Sequence, residues 1–389
     1  MPQLNYHVVV IGGGSTGAAL AHDFALRGFR VTLVERGELT SGTAGRHHGL
    51  LHSGGRYAVK DQESARECIE ENTIMRRIAP GSFEENDGLF VAITDDDVAY
   101  KDKFVKGCAE TGIPTRELSA EQVKKLEPHI NPKVKLAVQV PDATMDCWRV
   151  PMRFFATARR NGADIRPYHE VTAILRNGDT VTGVRTHSHI DGKDEEFGAD
   201  IVVNATGAWA EIVGHLAGVH VPVQPNPGVM VAVKGRWCNM VFNRLAPSGD
   251  GDIIVPQRSL SVIGTTSWNT QDPDRLGLPE EHVEKMYRLG GEMIPALLTA
   301  EFRAAWSAAR PLIGEETLGA GRELSRTFKA YDHKIRDGVE GIVTISGGKG
   351  TTMRGMAELT ANLVCQKLGV DAPCRTRETV LLPYWAYYD

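Results

Sequence analysis

Gly12-x-Gly14-x-x-Gly17 is the pattern with the most specific chemical meaning in this chain, because each glycine has a separate physical task. Gly12 permits a tight turn out of an apolar run. Gly14 lets backbone amides approach a pyrophosphate, and Gly17 lets the next helix pack close to the sheet. The pyrophosphate then rests on the positive N-terminus of that helix. Glu35 ends the following apolar run, 18 residues after Gly17, where a carboxylate accepts hydrogen bonds from a ribose diol. Arg36, next in sequence, is a further cofactor-binding candidate. An acid at this position disfavours a 2′-phosphate, so FAD or NAD is expected rather than NADP.

Two further groups carry chemistry. Arg56, Arg310 and Lys349 stand beside glycine- or proline-marked corners, where fork-shaped and point cations can hold a small anion. Arg326 and Arg354 are weaker candidates for the same task. His47, His48 and His52 follow the first βαβ unit and titrate near neutral pH, which makes them the candidates for a general base.

The elements that must position these residues follow from apolar spacing. Helices are expected over 62–79, 103–112, 120–126, 149–160, about 280–297 and about 353–368. Strand candidates are 163–168, 171–176, 180–186, 200–204, 228–234, blocks within 252–266, and 341–346, with hairpin turn chemistry at Asn177-Gly178-Asp179. Strand-to-glycine junctions recur at Ala205-Thr206-Gly207 and at Gly347-Gly348. A dinucleotide-binding unit that returns to the cofactor from distant segments is the FAD pattern, not the continuous NAD one. The expected fold is mixed α/β, with a Rossmann-like FAD-binding domain (1–85, 150–215, 335–389) interleaved with an antiparallel-sheet substrate domain (86–149, 216–334).

Composition narrows the class. The 389 residues are 42% hydrophobic and 24% charged, ordinary for a globular protein of about two domains. A net charge of −5 gives no general attraction to nucleic acid or anionic lipid, so an anionic substrate needs local cations. Six scattered cysteines form no CxxC, so no metal or iron–sulfur ligand set is expected. Neither a secretion signal nor a membrane-spanning run is expected, because the first strand begins within about eight residues of Met1 and no apolar run reaches ~18 residues. A cytoplasmic protein is expected, with peripheral docking on the inner face of the cell membrane left open.

Several separated segments in order give the chain a family likeness: residues 43–59 (TAGRHHGLLHSGGRYAV), 64–72 (SARECIEEN), 140–150 (VPDATMDCWRV), 202–209 (VVNATGAW), DIIVP and IGTTS within 252–267, 309–312 (ARPL) and 345–354 (ISGGKGTTMR). On these the chain resembles the FAD-dependent glycerol-3-phosphate dehydrogenases, above all the anaerobic-type large subunit, within the D-amino-acid-oxidase-like flavoproteins. The resemblance implies FAD held by Gly12, Gly14, Gly17, Glu35, Val171, Ala205, Gly207, Gly347 and Gly348. It implies a substrate pocket lined by Arg56, Tyr57, Arg310 and Lys349. It also implies hydride transfer from the C2 carbinol of glycerol 3-phosphate to flavin N5, with electrons passed to a quinone or a partner protein. Among the histidines, His52 best matches the family's residue before the glycine–glycine–arginine–tyrosine turn, with His48 second.

Two departures qualify this likeness. No counterpart of the family's cysteine-rich C-terminal module is expected within these residues, which leaves open a flavin subunit that needs a partner for activity. Pro227 and Val229 replace a lysine and a small hydroxyl residue, which bears on the exact substrate. A 2-hydroxyacid dehydrogenase or oxidase of the L-2-hydroxyglutarate type is the alternative, since Arg56 and Arg310 also suit a carboxylate. Lys349 and the ARPL segment favour phosphate.

Overall fold

The computed structural model describes residues 4–314 and 327–389. Its organising element is the strand His7–Ile11, every residue of which is buried. A strand covered on both faces reads as an unbroken apolar run, and this one does. It pairs in parallel with Arg30–Val34 on one side and Ile201–Asn204 on the other. The six-stranded sheet runs Phe328–Asp332, Ile342–Gly347, Ile201–Asn204, His7–Ile11, Arg30–Val34, Asp164–Arg166, and only the first of these pairs is antiparallel. Because Phe328–Asp332 is an edge of this sheet, the boundary expected at 335 lies too late.

The helix Ser15–Arg27 packs against Arg149–Arg160 and Met353–Leu368 over this sheet, burying Leu20, Phe24, Phe154, Phe155 and Met353 in one core. Chain direction changes sides between His7–Ile11 and Ile201–Asn204, and ligands bind outside the carboxyl ends of strands at such a point.

An eight-stranded sheet forms the second layer. Its order is Phe302–Ile313, Val223–Lys234, Leu260–Gly264, Ile253–Gln257, Val241–Arg244, Gly88–Ala92, Leu136–Val140, Arg116–Ser119. All neighbours are antiparallel except Val241–Arg244 with Gly88–Ala92. Its longest pair, Val223–Lys234 with Phe302–Ile313, sets Asn226 opposite Arg310 and Gly228 opposite Ala308. Two three-stranded sheets complete the fold, one of them the hairpin His169–Asn177 and Thr180–Ser188 with Asp194–Gly198 added. The architecture is mixed α/β, as the sequence pattern indicates.

Candidate active site

A cavity of about 1140 Å³ runs from the switch point to the eight-stranded sheet. This exceeds the ~300–1,000 Å³ of ordinary small-ligand pockets and suits a dinucleotide plus a small substrate.

The cofactor end is built from backbone. Gly12 has φ +110°, and a Cβ there would lie 2.8 Å from the Ala205 carbonyl oxygen, so only glycine lets the two strand ends approach. The following helix begins at Ser15 with Gly14 as its N-cap and no side chain capping it. Its first amides, with Gly13, Gly14, Ser15 and Thr16 on the cavity wall, are uncapped donors at a positive helix end, which fits a pyrophosphate. A Cβ on Gly14 would meet nothing nearer than Ala44 at 3.7 Å, so the space in front of it is open. Glu35 accepts from the Gly13 amide at 2.7 Å and the Gly37 amide at 2.8 Å, which fixes its carboxylate at the cavity edge. Arg36, Val171, Ala205, Gly207, Gly347 and Gly348 also line the cavity. Arg36 pairs with Asp274 and stacks over Trp209 at 5.0 Å. The residues present fit an FAD.

The opposite end is polar and cationic. His48, His52, Arg56, Tyr57, Arg310 and Lys349 share its wall with Gly228, Met230 and Thr265. Gly228 makes room for Arg310, since a Cβ there would sit 2.2 Å from Nη2. Arg310 donates to the Thr265 hydroxyl at 2.8 Å, the Thr266 carbonyl at 2.6 Å and the Asn226 side-chain oxygen. Lys349 Nζ lies 4.8 Å from the Tyr57 ring centroid and 3.9 Å from Glu67. Arg56 forms an ion pair with Asp252 at 2.7 Å.

The three histidines form a row, with ring centroids 6.3 Å apart for His47–His48 and 6.1 Å for His48–His52, and Tyr57 follows at 5.6 Å. Burial disfavours the imidazolium in each and lowers its pKa: to about 4 in His47, to about 3 in His48, and well below 6.5 in His52. The charges of Arg56 and Lys349 depress His52 further, as Arg56 and Arg310 do His48. All three are neutral at pH 7, the state in which an imidazole can accept a proton.

Some expectations need revision. The FAD contact that the family likeness implies for Gly17 is not made there, since Gly17 stands behind the turn and off the cavity wall: a Cβ would lie 1.9 Å from the Gly12 carbonyl oxygen, so its task is packing alone. Val229 is fully buried in the core of the eight-stranded sheet, and its neighbour Met230 faces the cavity instead. Pro227 is buried within the strand. Arg354 is 1% exposed and bound to Glu71, Glu358 and Thr376, so it is a structural cation with no access to the pocket. Arg326 lies outside the described residues. Asp252, Asn226, Thr265 and Met230 were not singled out as site residues from the sequence, because their places depend on cross-strand register.

The chain matches the family model described as FAD dependent oxidoreductase over residues 7–363. It is 46% identical to an anaerobic glycerol-3-phosphate dehydrogenase subunit from Haloferax volcanii, over 96% of this chain and 66% of that protein. It is 41% identical to the subunit of the same name from Escherichia coli, over 96% of this chain and 69% of the other. The chain thus spans about two thirds of the length of these relatives. Among solved structures, the glycerol-3-phosphate dehydrogenase of Bacillus halodurans complexed with FAD gives a TM-score of 0.73 at 23% identity, over 98% of this chain and 68% of that one. The L-α-glycerophosphate oxidase of Mycoplasma pneumoniae with FAD bound gives 0.76 at 18% identity, over 95% and 96%. With a cavity that fits the cofactor and a family model spanning most of its length, the chain belongs to the FAD dependent oxidoreductases.

Proposed function

We propose that this protein oxidises the C2 alcohol of glycerol 3-phosphate to the ketone. The observation that carries this reading is the convergence of Arg56, Arg310 and Lys349 on one end of the cavity, beside Tyr57 and His52. Two planar guanidiniums and one ammonium complement a phosphate dianion in charge and in donor number. The relatives named as glycerol-3-phosphate dehydrogenase subunits support the choice of polyol phosphate over 2-hydroxyacid. FAD, when bound, supplies the hydride acceptor. His52, buried and neutral, takes the hydroxyl proton as the hydride departs. His48, second in the row, is the other candidate for that step. Segments 1–85, 150–215 and about 327–389 hold the cofactor, and their His48, His52, Arg56, Tyr57 and Lys349 share the substrate wall with Gly228, Met230 and Arg310 of the eight-stranded sheet.

Electrons then pass to a quinone or a partner protein. Support for a partner comes from the relatives, which are named as subunits. Among the described residues no helix is long and apolar enough to cross a membrane, so a quinone would be met at the membrane surface.

The test is anaerobic mixing of the yellow holoprotein with glycerol 3-phosphate, L-2-hydroxyglutarate and an amino acid in turn. Bleaching of the flavin absorbance by glycerol 3-phosphate alone is expected. Bleaching by the hydroxyacid alone would replace this reading with the alternative one.

A further inference from the structure

Arg56 belongs to the turn Gly55–Tyr57 and reaches across to residues 246–252, almost two hundred positions away in sequence. The contact is closed to solvent: the two side chains of the Arg56–Asp252 ion pair are 11% and 10% exposed. Nη2 of Arg56 meets Asp252 Oδ1 at 2.7 Å and donates to the Gly249 carbonyl at 2.9 Å. The second Asp252 oxygen accepts the Gly249 amide at 2.8 Å, and the Ser248 hydroxyl donates to the Arg56 carbonyl at 3.0 Å. The turn therefore grips Arg56 at both its backbone and its guanidinium. Its far side is anchored by Asp250 and Lys285, 2.7 Å apart, on the helix Glu280–Met293.

We propose that Asp252 is a positioning residue for substrate recognition, acting through Arg56. This rests on the polyol-phosphate reading of the same cavity. Arg56 lines the cavity and Asp252 does not, so the carboxylate touches the substrate only by way of the guanidinium. Asp252 by its charge and the Gly249 carbonyl by a hydrogen bond both hold Nη2, which restrains the guanidinium at that corner. Such restraint suits two-pronged recognition of a phosphate, because an unrestrained arginine loses rotamer freedom each time it binds. Ser248 also lines the cavity, so the turn forms part of the pocket rim as well as the clamp.

The experiment is a double-mutant cycle on the holoprotein with D252A, R56A and the pair. It reads FAD content, KM and kcat for glycerol 3-phosphate with a dye acceptor, and the Kd of inorganic phosphate from its perturbation of the flavin spectrum. FAD content should be unchanged. D252A should raise KM and the phosphate Kd by about tenfold, with a smaller change in kcat. Added to R56A, it should change either value by less than about twofold, because its route to the anion is already gone. Equal effects of D252A with and without Arg56, or no effect on either constant, would overturn the proposal. If D252A does not fold, D252N replaces it in the cycle. That variant keeps an acceptor for the Gly249 amide, and its effect on phosphate Kd must again vanish in the R56A background. Wild-type protein whose flavin is not reduced by glycerol 3-phosphate would sink the functional reading alone, while the phosphate Kd still reports on Asp252.

Discussion

The Gly13 amide donates to Glu35 Oε2 at 2.7 Å, which ties the glycine turn after the first strand to the acid that ends the second. With the Gly37 amide on Oε1, each oxygen keeps one lone pair for a ribose hydroxyl. Glu35→Ala removes the diol acceptor and unties the turn together. FAD affinity should fall by about tenfold or more, the scale of one charge-assisted pair of hydrogen bonds. Fluorescence of FAD released on dilution measures this, and an unchanged dissociation constant would remove Glu35 from the cofactor site.

Glycines of one motif should fail in different ways. Gly14→Val puts its branches into open space before the helix N-terminus, so the apoprotein should keep its melting temperature and lose FAD. Gly17→Ala drives a Cβ to 1.9 Å from the Gly12 carbonyl, so both stability and flavin content should drop. Calorimetry beside the flavin absorbance separates the two. Equal behaviour of the variants would mean that the packing and binding tasks are not divided as described.

The difference between these glycines was visible in the sequence because the motif fixes which residue meets ligand and which meets sheet. Helices Arg149–Arg160 and Met353–Leu368 were equally legible from their apolar spacing. The helix expected to begin at 103 instead begins at Asp95, where Thr94 and Asp97 form a reciprocal cap, a signal present in the sequence and outweighed by apolar periodicity. The strand Asp194–Gly198 has no apolar alternation to announce it, being an almost wholly exposed polar edge. At the site, Val229 and Met230 show what spacing alone leaves open. Alternation says that they face opposite ways, but only the pairing of Met230 with Trp306 and Gly264 settles which one meets the cavity. Asp252 was out of reach for the same reason, since its partner comes from a distant turn.

Histidine burial gives a pH dependence with a definite sign. In the folded protein the His48 pKa is lowered from 6.5 to about 3, so the unfolded chain binds the extra proton between those values. The stability contributed by neutral His48 is complete above about pH 6.5 and is lost as pH falls toward 3. Between pH 6.5 and 5 the loss should reach at most about 2 kcal/mol. His48→Gln should flatten the melting temperature over that window relative to wild type. A variant with the same slope would show that His48 is protonated in the folded protein.

Asp142 should show the opposite trend. It is buried behind the His52–Ser53 backbone, accepting the Ser53 amide at 2.6 Å, and burial raises its pKa to about 6. A raised folded pKa gives stability that is present below the unfolded value of 3.8 and lost as pH rises through about 6. Asn243 Nδ2 lies 3.3 Å from Asp142 Oδ2, while its Oδ1 is buried without a hydrogen-bond partner among the described residues. Asp142→Asn supplies the missing donor once the Asn243 amide turns over. At pH 8 the variant should be more stable than wild type, by up to about 3 kcal/mol. Urea unfolding at pH 5 and 8 checks this, and a variant less stable at both would show that the carboxylate charge is needed.

Arg310 and Arg354 test whether a cation recognises substrate or holds the fold. Arg310 stands on the cavity wall, whereas Arg354 is fully buried with Glu71, 2.8 Å away at Nε, and Glu358, 2.7 Å away at Nη1. Arg354→Met leaves the buried Glu71 carboxylate without its cation, while Glu358 keeps Arg377, which should cost about 3–5 kcal/mol of stability. Any correctly folded fraction should keep the wild-type KM. Arg310→Ala should reverse the pattern, with KM for a phosphorylated substrate raised by about a hundredfold for a lost charge-assisted contact and little change in melting temperature. Thermal unfolding and steady-state kinetics on the two variants decide between the roles. A raised KM in Arg354→Met with unchanged stability would bring that residue back into the pocket.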